Sequence, residues 1–321
     1  MKTPFETFSG FTYSDAIPYE EGVTRRDPSP VIEADGTYYV WYSRTHESAD
    51  GYSASVWYAI SPDGTTWQEA GEAIPKGPKG AFDEHAVFTP TILVADGKYF
   101  LFYTAVPEPF TNDKGGSNGT RTAIGVVSSD SPGGPWHRMA DPVLRPSDDP
   151  EAFDSMRIDD TCFIVRSGEY WMYYKGRQMN HTAGETKMGL AIAKSPTGPY
   201  VKHHENPVLD SGHEVCVWPH GNGVGCMVCN VGPQGNTLQH SDDGVHFRKI
   251  ADVVPPKAPG PFRADGFAGG AGPGVKWGIS MEQHPPAWPH LVRFDCDLRS
   301  TSVAEPEHRP CENTAEPGVK Q

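Results

Sequence analysis

Acidic residues recur in this chain at a matched distance ahead of a turn glycine. Asp27 lies nine residues before Gly36, and Asp160, with Asp159 beside it, lies eight before Gly168. Thr89 holds the equivalent place eight residues before Gly97, while His213 and Glu214 stand eight and seven before Gly221. Each position opens an apolar run, and an apolar strand has no structural need for a carboxylate at its mouth. A lone Asp there reads as a turn cap. Acids in register at three such mouths read differently, because carboxylates brought together repel and shift one another's pKa. That is a cost structure alone would not ask for, and it points to function.

A repeat is what can bring such distant residues together. An apolar strand, a glycine turn and an aromatic strand recur as DPSPVIEADGTYYVWY at 27–42, TPTILVADGKYFLFY at 89–103 and DTCFIVRSGEYWMYY at 160–174, with a degenerate copy, EVCVWPHGNGVGCMV, at 214–228. Asp-Gly between alternating apolar runs is a strong hairpin signal. Each hairpin is followed by a second unit: SVWYAISPDGTTW at 55–67, TAIGVVSSDSPGGPW at 122–136, MGLAIAKSPTGPY at 188–200 and TLQHSDDGVHF at 237–247. A fifth, less regular unit uses FAGGAGPGVKWGISM and HLVRFDCDL at 290–298. Four-stranded units repeated radially predict an all-β fold, a five-bladed β-propeller around a central channel. Its glycine-rich strands suit a crowded axis. A β-sandwich or a two-domain arrangement gives no reason for the recurrence.

Residues 21–300 form the propeller and catalytic domain in this reading. Residues 1–20 are an N-terminal extension that crosses the bottom or closes the ring, and 301–321 are a polar, mobile tail. A sugar-binding propeller without activity would repeat its binding residues in every blade. Here the mouths carry Asp, Thr, Asp and His-Glu, the asymmetry of one central active site.

The flanks supply charge and stacking surface. Arg25 and Arg26 precede Asp27, and Arg157 precedes Asp159. Arg26, Thr89, His85, Asp159, Trp218 and Trp277 are the expected substrate contacts, with Phe88, Trp288 and His284 as further possibilities near the same end. No cofactor is required. A structural divalent cation in the central channel is allowed, but spacing assigns it no ligands. The 35 Gly and 31 Pro among 321 residues fit many short strands. The net charge of −14 disfavours nucleic acid and anionic membranes, argues weakly against sulfated polysaccharides, and is compatible with a neutral sugar. Cys226 and Cys229 form an unaccompanied CxxC, read as core packing rather than a metal site. MKTPFETFSG is no signal peptide and no run of about 18 apolar residues occurs, so a cytoplasmic location is expected.

The strings TRRDPSPVI, FDSMRIDDTC, YYKGR and SGHEVCVWP, with AVFTP and the GPW and GPY turns, resemble glycoside hydrolase family 117, from about residue 20 to 295. That family consists of five-bladed propellers related to family 43. The resemblance implies an inverting exo-hydrolase that releases 3,6-anhydro-L-galactose from the non-reducing end of neoagaro-oligosaccharides. It makes Asp27 the general base, Asp160 the supporting carboxylate and His213 the general acid, its pKa lifted by Glu214. Glu214 as the acid would follow the ordinary two-carboxylate pattern. Met156 and Asp159-Asp160-Thr161 depart from the family, which tends to have His and His-Asp-Pro there. Members usually carry a helical N-terminal segment that helps form a dimer, whereas only about 20 residues precede the first blade here, a further departure; a homodimer stays an open expectation. The alternatives are a family 43-like α-L-arabinofuranosidase or β-xylosidase and a non-catalytic sugar-binding propeller.

Overall fold

Three tight turns fix the register of the hairpins. Asp35-Gly36, Asp96-Gly97 and Ser167-Gly168 all have positive φ at both residues, with φ of 50–54° at the first and 71–75° at the glycine. Ala34 therefore pairs with Thr37, Ala95 with Lys98 and Arg166 with Glu169, as a type I′ connection requires. The computed structural model describes residues 5, 8–46, 52–109, 120–229, 231–282 and 288–300, and among these the fold is all-β apart from one 3₁₀ turn, Ala183–Glu185.

The strands form four hydrogen-bonded sheets. The first orders Val23–Arg26, Thr37–His46, Ser55–Ser61 and Gln68–Ile74, with Ile32–Ala34 also paired to Thr37–His46. The second runs Ala86–Ala95, Lys98–Val106, Ala123–Ser129, His137–Arg138, and the third Arg157–Arg166, Glu169–Arg177, Lys187–Ala193, Val201–Lys202. The last has eight strands in two groups of four. One holds Cys216–Gly221, Gly223–Val228, Thr237–Ser241 and Arg248–Asp252; the other holds Lys257–Pro261, Gly272–Glu282, His290–Arg299 and Thr12–Ile17. Among the described residues, His220 and Gly221, pairing with Pro273 and Gly272, join the two groups.

Strands of successive units abut in chain order. Thr37–His46 lies against Ala86–Ala95, that strand against Arg157–Arg166, then Cys216–Gly221, then Lys257–Pro261. The circuit closes where Val31 bridges Phe262 in parallel, with Val31 N–H donating to Pro261 O at 3.1 Å and Arg263 N–H to Val31 O at 2.9 Å. Thr12–Ile17, within the N-terminal extension, pairs with His290–Arg299 as a sheet strand. One feature differs from the sequence reading: the fifth unit is led by Lys257–Pro261, which its prolines had disguised.

Four strand glycines make room for a ring, whereas Gly260 and Gly272 lie against neighbouring backbone. Gly125, Gly189, Gly225 and Gly278 stand directly opposite Tyr103, Tyr174, Trp218 and Phe294. Each leaves room for the ring across the ladder: a Cβ on Gly125 would lie 2.4 Å from Tyr103 Cζ. Tyr103 cannot retreat easily, because its hydroxyl donates to buried Asp83 at 2.7 Å and Arg138 pairs with the same carboxylate. Tyr174 to Asp154 at 2.9 Å and Tyr42 to Glu69 at 2.6 Å repeat the device in the third and first sheets. Gly125→Ala should therefore destabilise the fold by roughly 1–3 kcal/mol through overpacking, measured as a lower urea midpoint. An unchanged midpoint would show that the ring has room to move. Between sheets the core is aromatic, with Phe102 and Phe163 centroids 4.3 Å apart.

Candidate active site

Five residues at the mouths of the leading strands share one unusual backbone conformation. Asp27, Thr89, Asp160, Glu214 and Ala258 have φ of 51°, 47°, 46°, 56° and 46°. L-residues other than Gly, Asn and Asp rarely enter this left-handed region. At three of the five the ladder register also slips, between Phe88 and Thr91, Asp159 and Cys162, and Lys257 and Gly260. A bulge of this kind re-aims a side chain at the end of a strand. Because the leading strands close a circuit, the five positions converge on one end of it.

Four of them, Asp27, Thr89, Asp160 and Glu214, border one cavity there. Of the residues expected from sequence, Arg26, Asp27, Thr89, Asp159, Asp160, His213 and Glu214 all line it. The turn count had left His213 and Glu214 equivalent; the backbone angle gives the mouth position to Glu214. Ala258 completes the set with no side-chain chemistry, and its N–H donates to Glu214 Oε2 at 2.9 Å.

Charge in the cavity is closely paired. Arg26 Nε lies 2.8 Å from Asp27 Oδ2, whereas Arg25 points to the other face of its strand and binds Glu20 and Glu69 at 2.6 and 2.9 Å. Lys175 Nζ contacts Asp160 Oδ2 and lies 3.2 Å from Asp159 Oδ1, in a nearly buried triad. Burial works to raise Asp160, but Lys175, then His213 and Arg26, hold its pKa below the ordinary carboxylate value. Asp159 goes the other way, pushed up to about 6 by burial and by Asp160 against the pull of Lys175.

The expectation that Glu214 lifts the His213 pKa is not met. The Lys175 ammonium and burial, with Arg26 and Lys257 behind them, bring the imidazole down to about 3 against the pull of Asp160. His213 is then neutral near pH 7, and its Nδ1 is buried without a hydrogen-bond partner among the described residues. Glu214 is raised, first by burial and next by Asp27. The two carboxylates nearest in chemistry thus differ in setting: Asp27 beside a guanidinium, Glu214 buried and favouring its proton.

Three expected contacts lie elsewhere. Trp218 is buried with its ring over Gly225, in the core beneath Phe5 and Phe294. Trp277 stacks on Phe262 at 4.9 Å, with the Arg293 guanidinium carbon 4.3 Å from its ring centroid. His85 does not border the cavity, and burial and Lys76 lower its pKa. Trp288 is likewise absent from the wall, and His284 lies outside the described residues. The aromatic surface comes instead from Phe88 and Tyr52, ring centroids 6.1 Å apart, with Arg26 5.8 Å from the Tyr52 centroid. Sequence reasoning missed Tyr52, Lys175 and Arg177. Among the described residues no group of three or more His, Cys, Asp or Glu is arranged to hold a metal ion, and the acids of the cavity are drawn to Arg26 and Lys175 instead.

Residues 22–185 match the family model described as "Glycosyl hydrolases family 43". This match and the carboxylate-lined cavity at the strand mouths define a glycoside hydrolase. Among solved structures, Zg3597, a family 117 glycoside hydrolase produced by the marine bacterium Zobellia galactanivorans, is 34% identical with a TM-score of 0.82, over 95% of this chain and 94% of that one. The chain belongs to glycoside hydrolase family 117. The catalytic domain of a Coprinopsis cinerea GH62 α-L-arabinofuranosidase shares the fold at 11% identity and a TM-score of 0.63, over 91% of this chain and 98% of that one. Sucrose-6-phosphate hydrolase from Lactobacillus gasseri does so at 12% and 0.62, over 91% and 61%. A search of curated proteins finds no match by sequence.

Proposed function

We propose that this chain is a five-bladed β-propeller that acts as an inverting exo-hydrolase, releasing 3,6-anhydro-L-galactose from the non-reducing end of neoagaro-oligosaccharides. The observation that carries the chemistry is the pairing of Asp27 with Glu214 across one cavity, one beside Arg26 and the other pushed towards its protonated form. The blade count is supported by five left-handed mouth positions and by the circuit that Val31 and Phe262 close. The sugar is supported by family membership.

In this mechanism Asp27 takes a proton from water as the water attacks the anomeric carbon. Glu214 delivers its proton to the leaving oxygen, which keeps the pair in balance. Inversion needs the two carboxyls roughly 6.5–9.5 Å apart so that water fits between base and sugar. Asp160, held as an anion by Lys175, orients and charges the site. His213, neutral, offers its open Nδ1 to a sugar hydroxyl.

Incubation with neoagarobiose and a panel of aryl glycosides, followed by identification of the released sugar and its anomer, tests the reading. Release of 3,6-anhydro-L-galactose with inversion is expected; arabinose or xylose from the aryl panel would move the chain to a family 43-like specificity. Glu214→Gln should lose turnover on the disaccharide yet keep it on an aryl glycoside whose leaving group needs no proton. If His213→Gln shows that split instead, the histidine is the donor.

A further inference from the structure

A second cavity lies deeper along the same segments. All five mouth residues border it, and four of them, Asp27, Thr89, Asp160 and Glu214, border the outer cavity as well. The rest of its wall comes from residues just beyond the mouths, Thr91 and Thr161 among them. Thr91 resumes the ladder of the second sheet after the bulge, opposite Phe102. It is 1% exposed, and its Oγ1 is buried without a hydrogen-bond partner among the described residues. A buried hydroxyl left unbonded is destabilising, and Val would fill the same shape without it. We propose that this inner cavity is a water site, in which Thr91 Oγ1 and the mouth carboxyls hold a short file of water from which Asp27 draws the molecule that attacks the sugar. The inference rests on reading the outer cavity as a glycosidase site and adds where its second substrate is held.

The wall suits water. Pro28, Pro90 and Pro259 carry no N–H and Val215 no polar side chain, so the hydroxyls and carboxyls stand out as its bonding groups. Thr89 is already committed, its hydroxyl 2.5 Å from Thr104 Oγ1 and its N–H donating to Ser43 Oγ at 2.8 Å. That leaves the Thr91 hydroxyl open, with Asp160 and Asp27 as acceptors at the mouth. The space open to water-sized molecules is about 40 Å³, against about 10–15 Å³ for a single buried water. A short file fits. An inverting reaction needs its water on the face of the sugar away from the leaving oxygen. A sugar seated in the outer cavity covers Asp27 from that side, whereas the inner cavity reaches the same residue from deeper in the fold. Water already held there meets the base without being ordered at the moment of attack. The step balances: water gives one proton to Asp27 and its oxygen to the anomeric carbon, Glu214 protonates the leaving oxygen, and one water refills the file per turnover.

A high-resolution crystal structure of the wild type should show ordered water in the inner cavity, one molecule within about 3.2 Å of Thr91 Oγ1, and Thr91→Val should lose that molecule. Thr91→Val should also lower kcat about tenfold, the worth of one hydrogen bond to the water, with KM unchanged. The fall should be alike on neoagarobiose and on an aryl glycoside whose leaving group needs no proton, because both consume the water. The pH limbs should stay in place, since no titrating group has changed. By calorimetry, neoagarobiose should bind Asp27→Asn and the Asp27→Asn, Thr91→Val double variant equally; a mere packing defect would weaken the second. A dry inner cavity, or a metal ion within it, overturns the proposal, and so does a Thr91→Val enzyme with undiminished kcat. A Thr91→Val protein that melts above wild type overturns it too, because that gain means the hydroxyl was unbonded. Where the variant does not fold, the wild-type density decides alone. Hydrolysis of neoagarobiose by a protein with a dry inner cavity removes this inference and leaves the glycosidase reading intact. Ordered water on Thr91 without hydrolysis of any sugar tested keeps the water site and removes that reading.

Discussion

Asp27→Asn should lower kcat/KM by about 10²–10⁴-fold, the usual worth of a positioned general base, while the melting temperature and circular dichroism stay close to wild type. Asn has the shape of Asp and its side-chain oxygen can still accept from Arg26 Nε, now 2.8 Å from Asp27 Oδ2. Its left-handed backbone, φ 51°, is one that Asn adopts readily. The substitution therefore removes basicity with little else. A second consequence follows through Glu214. Asp27 is the second-largest cause of its raised pKa, after burial. Without that negative charge, Glu214 should release its proton at lower pH. As Glu214 works protonated, activity falls as pH rises through its pKa, so the alkaline limb of the residual profile should move towards acid. Undiminished turnover in this variant would remove Asp27 from the mechanism. A shifted limb with reduced turnover would support both roles together.

The mouths of the blades were legible because a turn glycine fixes the count. Asp27, Thr89, Asp160 and Glu214 sit seven to nine residues before a turn glycine, and the turns at Gly36, Gly97 and Gly168 formed as expected. Ala258 escaped notice because it carries no chemistry, and its strand, KAPGP, lacks an apolar run. Lys175 and Arg177 escaped for another reason: their place depends on cross-strand register. Counting outward from Ser167-Gly168 would set Asp160 opposite Lys175, but the bulge between Asp159 and Cys162 shifts the ladder by one and puts Asp159 there. Lys175 thereby reaches both acids. The tryptophans misled because aromatic residues read alike as sugar platforms and as core. What separates them is the glycine opposite Trp218 and the stacking partner of Trp277, both facts of pairing rather than of composition.

A net charge of −14 describes the molecule as a whole and says little about one cavity. The cavity brings Arg26, Arg157, Lys175 and Arg177 together with Asp27, Asp159, Asp160 and Glu214, a balance that cross-strand register and bulges set and composition does not show.

Lys175→Met should be the more disruptive of the two large changes. Met fills the volume but leaves Asp159 and Asp160 adjacent, buried and without the ammonium that now touches both. Breaking a buried ion pair from one side costs about 3–5 kcal/mol, so a clear fall in the urea midpoint at pH 7 is expected. Two nearby carboxylates without a cation hold one proton between them. Asp160, at present lowered chiefly by Lys175 against burial, should rise, and Asp159 already stands at about 6. His213 loses the largest cause of its depression and should rise too. The cavity therefore takes up protons as Lys175 is removed. If Asp160 must be an anion, activity in the variant is lost from a higher pH downward, and the acid limb of kcat/KM moves to higher pH. The fall at pH 7 should be on the order of 100-fold, the low end for losing control of an acid–base group. Acidic conditions offer a check on stability: below the raised pKa the carboxyl pair is protonated, so the deficit against wild type should shrink as pH falls towards 4. Lys175→Arg, which restores a cation, should recover part of both the midpoint and the position of the acid limb. An acid limb that stays in place in Lys175→Met would mean that Asp160 has no part in turnover as an anion, and would reduce Lys175 to a support for the strand.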